Sequence, residues 1–193
     1  MADFSIISDT STSMLKFLRE NLCPEPLMSP ESITLVSPQE KSGDFQLGMH
    51  LYDFKEVSEF RNTTPLTRDD NVRTRPPKIL ELNYMLFSNK QAQVAMGPEA
   101  EQRIFGRALQ AIADAGTLNV TETNPYLTSE ESEMNISTLN PSFEEKQRIW
   151  SALQCPYQIG IYFALSPVVL SSKVLTRVVR VRDVQFETKL NKE

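Results

Sequence analysis

Residues 142–170, SFEEKQRIWSALQCPYQIGIYFALSPVVL, read as an amphipathic helix, a proline stop and an apolar strand. Ser142 with Glu145 three residues on is a capping box, each side chain satisfying a backbone donor that the first helical turn leaves open. Phe143, Ile149, Trp150 and Leu153 follow a helical period, and Glu144, Glu145, Lys146, Gln147 and Arg148 fill most of the other face. Pro156 ends the helix. Beyond it Tyr157, Ile159, Ile161, Phe163 and Leu165 alternate with Gln158, Gly160, Tyr162 and Ala164, which predicts a strand with one apolar face. A helix running almost directly into a core strand buries its apolar side against that strand's sheet. The expected fold class is therefore α+β, a mixed or antiparallel sheet flanked by two to three helices.

Working outward, Gly97-Pro98-Glu99 opens a second helix, with Ile104, Phe105, Ala108, Leu109 and Ile112 as its buried stripe and Gly116 as its stop. Gly106 inside it suggests a close helix–strand approach. The dense run Ile79 to Phe87 predicts a central strand covered on both faces. Phe45, Leu47, Met49 and Leu51 predict a half-buried strand, expected to form a hairpin with Ile33-Thr34-Leu35-Val36. Ser8 and Asp9 are expected to cap a first helix carrying Met14, Leu15, Leu18 and Leu22, closed by Pro24-Glu25-Pro26.

Two stretches resist this reading: residues 57–77 and, beyond a short strand expected at 117–120, residues 117–140 look like long loops, and such loops are first candidates for partner contacts. In 57–77, Phe60, Arg61 and Leu66 are candidate interface residues. Residues 174–186, VLTRVVRVRDVQF, predict a strand with arginines on both faces; Arg177, Val179, Arg180 and Arg182 make it a charged edge open to a chosen partner strand.

At 193 residues the chain is expected to form one domain, 1–193, large enough to bury a core without disulfides or metal. Its net charge of −5 argues against nucleic acid as a general partner. Cys23 and Cys155 stand apart, which indicates neither a zinc site nor a disulfide framework. The segment MADFSIISDTSTS has no charged leader or apolar run, and no later run is long enough for a membrane span, so cytoplasmic production is expected. The single His50 has no nucleophile turn beside it, no phosphate-cradling glycine motif occurs, and Asp69-Asp70 and Glu130-Glu131-Glu133 fall in polar stretches. Neither an active site nor a cofactor is indicated.

The segments LELNYMLFS (80–88), EQRIFGRALQAI (101–112) and above all RIWSALQCPYQIGIYFALSPVVL (148–170), with the Ile7-to-Leu18 pattern I-S-D-T-S-x-S-M-L-x-x-L, are similar to the N-terminal domain family of the cap proteins, or tail terminators, of phage-tail-like contractile injection systems. The resemblance covers nearly the whole chain. It implies a tail-terminator-like fold and a structural protein rather than an enzyme, a ring of six copies closing the distal end of an inner tube and outer sheath. The implied partners are the tube protein, the sheath protein and the chain itself, without nucleic acid, membrane or cofactor. The protein would be cytoplasmic during assembly and then part of the particle. Some relatives carry a further C-terminal domain whose role does not transfer. Because sheath subunits are commonly joined by strand exchange, the 174–186 strand is expected to give or receive one. The alternatives are a neck or assembly adaptor on the same particle and, more remotely, a small hydrolase using His50.

Overall fold

The computed structural model describes residues 4–40, 43–57, 66–69, 72–92, 96–125 and 127–177, with only the backbone described for 66–69, 72–74, 129–130 and 175–177. Its centre is β5 (Lys78–Ser88), paired antiparallel to β2 (Leu47–Glu56) on one side and to β8 (Gly160–Leu170) on the other. With β1 (Ile33–Leu35), β7 (Glu133–Leu139) and β6 (Thr117–Asn119) the order is β1-β2-β5-β8-β7-β6. Only the β1–β2 pair is parallel, so the sheet is mixed. Helices α1 (Ile6–Leu22), α2 (Pro98–Ala115), the short α3 (Ser129–Ser132) and α4 (Phe143–Ala152) complete the α+β fold.

The imperfect alternation of β5 records two cores. Leu82, Tyr84 and Leu86 face Met14, Leu18 and Leu22 of α1 and Ile104, Ala108 and Ile112 of α2. Met85 and Phe87 face the other way, into a smaller cluster with Phe45, Tyr162 and Trp150 of α4. Helices thus cover both sides of the central strand, as the sequence predicts. The capping box at the start of α4 is formed: the Ser142 amide donates to Glu145 Oε2 at 2.7 Å and the Glu145 amide to Ser142 Oγ at 3.3 Å.

Several expectations are corrected. Ile33–Leu35 does not form a hairpin with β2 but lies parallel to it; residues 36–46 are long enough to carry the chain back to the start of β1, whereas a tight hairpin loop would force the antiparallel pairing. The first helix begins at Ile6, ahead of Ser8 and Asp9; Asp9 instead accepts from Ser5 Oγ and Asn124 Nδ2, both at 2.8 Å, inside the first turn. The stretch 117–140 is largely structured, since β6, α3 and β7 lie within it, and Met134 and Ile136 of β7 are buried in the main core. The alternation is present in EMNISTL but with only two large apolar side chains on its inner face. Residues 57–77 contain β3 (Leu66–Asp69) and β4 (Val72–Thr74), too short for any period to register.

Four apolar positions also sit differently. Tyr157 and Ile159 precede β8 and are 41% and 66% exposed, the ladder with β5 stopping at the Phe87–Gly160 pair. Phe143 is exposed and packs edge to face on Tyr157 at 5.2 Å. Leu109 leaves the α2 stripe for solvent. Nothing lies within 4 Å of a Cβ built on Gly106, which removes the reason for glycine there. Gly106→Ala is expected to raise stability by about 1 kcal/mol through helix propensity alone, read as a higher urea midpoint with unchanged slope.

The start of α2 is fixed electrostatically. Glu101 accepts from Lys90 Nζ at 2.6 Å and from the Ser88 hydroxyl at the end of β5. Burial pushes its carboxyl up, but these hydrogen bonds and the Lys90 charge outweigh it and hold the carboxyl below the ordinary range. A depressed folded-state value means stability present at neutral pH and lost as pH falls through that value. Glu101→Gln is expected to cost about 1 kcal/mol at pH 7 and progressively less as the pH falls through the carboxyl's folded-state value, so wild type and variant should converge in acid melts.

Candidate assembly interface

Two of the candidate contact residues, Leu66 and Arg177, fall on a second, smaller sheet. Strands β3 and β4 form an antiparallel pair, and β9 (Leu175–Arg177) adds to β4 on its other side. The register aligns Leu66 with Thr74 and Leu175, Thr67 with Arg73 and Thr176, and Asp69 with Val72 and Arg177. Leu66 and Arg177, predicted from separate stretches, therefore share one sheet. Phe60, Arg61, Val179, Arg180 and Arg182 lie outside the described residues.

Connectivity explains why this sheet stands where it does. The chain leaves β2 towards β3, returns through β4 into β5, and leaves β8 towards β9; the small sheet's order, β3-β4-β9, repeats the order β2-β5-β8 of the large one. All three links leave the same end of the large sheet, where Glu56 is opposite Leu80 and Lys78 opposite Leu170. The small sheet is thus an outgrowth of the three central strands. Sheets of such short strands are marginal alone in water.

Chemical features elsewhere are sparse. His50 is half-buried on β2, and burial pushes its imidazole below the ordinary value, favouring the neutral form. Tyr84 is pushed up to about 12 by burial, against the lowering effect of its 2.8 Å hydrogen bond with Ser11, and it ties α1 to β5. No group of three or more His, Cys, Asp or Glu among the described residues is arranged to hold a metal ion. No helix among them is long and apolar enough to cross a membrane.

A feature that sequence reasoning missed is a groove of about 520 Å³ between the N-terminal half of α1 and the outer side of β1 and β2. Phe4, Ile7, Leu35, Val36, His50 and Leu51 contribute to its walls. The apolar alternation of β2 hid it, because Leu51 fits a core stripe equally well.

Comparison with known proteins agrees with this architecture. The PVC sheath/tube terminator, from a cryo-EM structure of an extracellular contractile injection system in the extended state, superimposes with a TM-score of 0.68 at 16% identity, over 100% of this chain and 66% of that one. The anti-feeding prophage cap, a tube-terminating cap also seen by cryo-EM, gives 0.62 at 14% identity, over 94% of this chain and 61% of that one. The chain thus spans about two thirds of the length of these structures, and at such identities the likeness speaks for the fold. No curated protein matches it. The model of the Pvc16 N-terminal domain matches residues 9–182, from the first turn of α1 to beyond β9. The chain belongs to the Pvc16 N-terminal domain family.

Proposed function

We propose that this chain is a cap, or tail terminator, closing the distal end of the tube and sheath of a contractile injection system. The observation that carries the reading is a family match over residues 9–182 joined to a terminator fold shared with two solved caps. In this reading the partners are the inner tube protein, the sheath protein and further copies of the chain, in a homo-hexameric ring, with the protein cytoplasmic during assembly and then part of the particle. Function rests on shape: the end of a growing tube exposes unsatisfied subunit surface, and a ring that matches it on one face and offers no equivalent on the other stops addition. Domain 1–193 acts as one unit, without enzymatic activity or cofactor, and the small sheet with the candidates Phe60, Arg61, Leu66, Arg177, Val179, Arg180 and Arg182 is the contact region.

Deleting the gene from a producing strain tests this. Electron micrographs are expected to show tubes open at one end and scattered in length, restored by the gene in trans. Particles of normal length with both ends closed would overturn the reading.

A further inference from the structure

Helix α4 packs on Met85 and Phe87 of β5 through Trp150. Asn83, two residues nearer the small sheet, belongs to the same face of that strand. It is 6% exposed, and its Oδ1 is buried without a hydrogen-bond partner. An unmet buried acceptor is costly, so a carboxamide held in the middle of the central strand calls for a reason outside the isolated fold. In register it stands between Asp53 of β2 and Ala164 of β8, with Ser137 of β7 beyond, a row of short side chains. Asp53 and Ser137 are exposed, so the row can be approached from solvent.

The surroundings are negative. Tyr52, next to Asp53, is pushed up to about 12, by burial first and then by Tyr162, Asp53, Glu81 and Glu145. Asp53 has no cationic partner among the described residues, whereas Glu81 is engaged by Lys55 at 2.9 Å. A free carboxylate beside an unmet acceptor suits a donor-rich cation, and a guanidinium carries five donors and no acceptor. Opposed residues of a strand pair have Cβ atoms roughly 5 Å apart, a span that such a fork bridges, and the soft χ2 of asparagine lets Oδ1 turn towards it.

This polypeptide supplies the cation itself. Residues 66–77 and 171–177, the small sheet and its links, hold five Lys and Arg against two Asp, a net of +3 in a chain of −5, which leaves −8 for the rest. Among them Arg75 is exposed and has no acidic partner among the described residues. It cannot reach Asp53 of its own chain. Lys78 is already five strand residues, roughly 17 Å, from Asn83, and Pro76 and Pro77 hold Arg75 farther out.

We propose that Arg75 of one copy docks on the Asp53–Asn83 row of a second copy, its guanidinium bridging the Asp53 carboxylate and the Asn83 carboxamide oxygen. The contact joins two different surfaces, so repeating it builds a ring where the rotation closes. It deepens the ring reading above, on which it rests for the number of copies, by naming one joint. An ion pair at such a rim weakens as salt is added.

The test uses the full-length chain, with mass followed against concentration by light scattering and native mass spectrometry and folding checked by circular dichroism. The wild type is expected to associate, less readily at high salt. Asp53→Arg and Arg75→Asp are each expected to need at least about tenfold higher concentration, and the double variant, with the charges exchanged, to recover most of that loss. Asn83→Leu is expected to weaken association while leaving the urea midpoint at or above that of wild type, since it removes a buried acceptor that has no donor. A monomeric wild type, single variants that associate as wild type does, a double variant no better than either single, or a lowered midpoint for Asn83→Leu would each overturn the proposal. Particles capped normally by Arg75→Asp would remove this joint and leave the cap reading standing, whereas closed particles in the deletion strain would remove the cap reading itself.

Discussion

Replacing Trp150 with alanine is expected to destabilise the protein by about 4 kcal/mol, a large fraction of the roughly 5–15 kcal/mol that holds a domain together. Trp150 is 1% exposed and forms the centre of the smaller core, edge to face with Phe87 at a centroid distance of 6.2 Å. Its indole Nε1 donates to the Tyr162 hydroxyl at 3.0 Å, so the ring is satisfied at both its apolar and its polar ends. It is also the one fully buried anchor of α4, whose other side is charged. A helix of this length does not persist on its own propensity, so losing the anchor frees the helix as well as opening a cavity. Urea unfolding followed by far-ultraviolet circular dichroism measures the loss. Tyr162→Phe, which removes only the hydrogen bond, should cost about 1 kcal/mol. A Trp150→Ala variant within about 1.5 kcal/mol of wild type would mean that α4 is not packed as described.

Gly160→Ala is the second large effect, at about 2–3 kcal/mol. Gly160 opens β8 opposite Phe87, and a Cβ there would lie 2.6 Å from the Leu86 carbonyl oxygen, a backbone atom in the middle of the sheet. Backbone cannot swing aside as the end of a flexible side chain can, so β8 must separate from β5 or shift along it. Gly48→Ala places its Cβ 2.3 Å from Phe87 Cζ, and that ring is wedged between Phe45 and Trp150. Gly106→Ala meets nothing and gains stability. The three together form a sign test of the packing by thermal melts, and an unshifted melting temperature for Gly160→Ala would refute the register of β8 on β5.

The legible parts of the fold are those where one residue pattern had one physical meaning. The Ser142–Glu145 box, the stop at Pro156 and the two-sided run of β5 each had a single economical solution. Tyr157 and Ile159 show the opposite case: their alternation with Ile161 is genuine, but whether a strand forms depends on a neighbouring ladder, and the one with β5 stops at the Phe87–Gly160 pair. The parallel placement of β1 was hidden for the same reason, since pairing direction is set by where residues 36–46 carry the chain. Of the interface residues, the small sheet unites Leu66 and Arg177, yet strands of three or four residues carry too little pattern to announce that meeting beforehand. The groove beside β2 was out of reach of sequence, because Leu51 continues the alternation of Leu47 and Met49 as a core residue would.

The small sheet draws its strands from residues 66–74 and 175–177, about a hundred positions apart in the chain. A ribosome that has not yet released residue 177 holds a polypeptide able to pair β2 with β5 but unable to complete the outgrowth. Synthesis itself therefore sets the order of assembly, leaving the small sheet incomplete until the rest of the fold is in place.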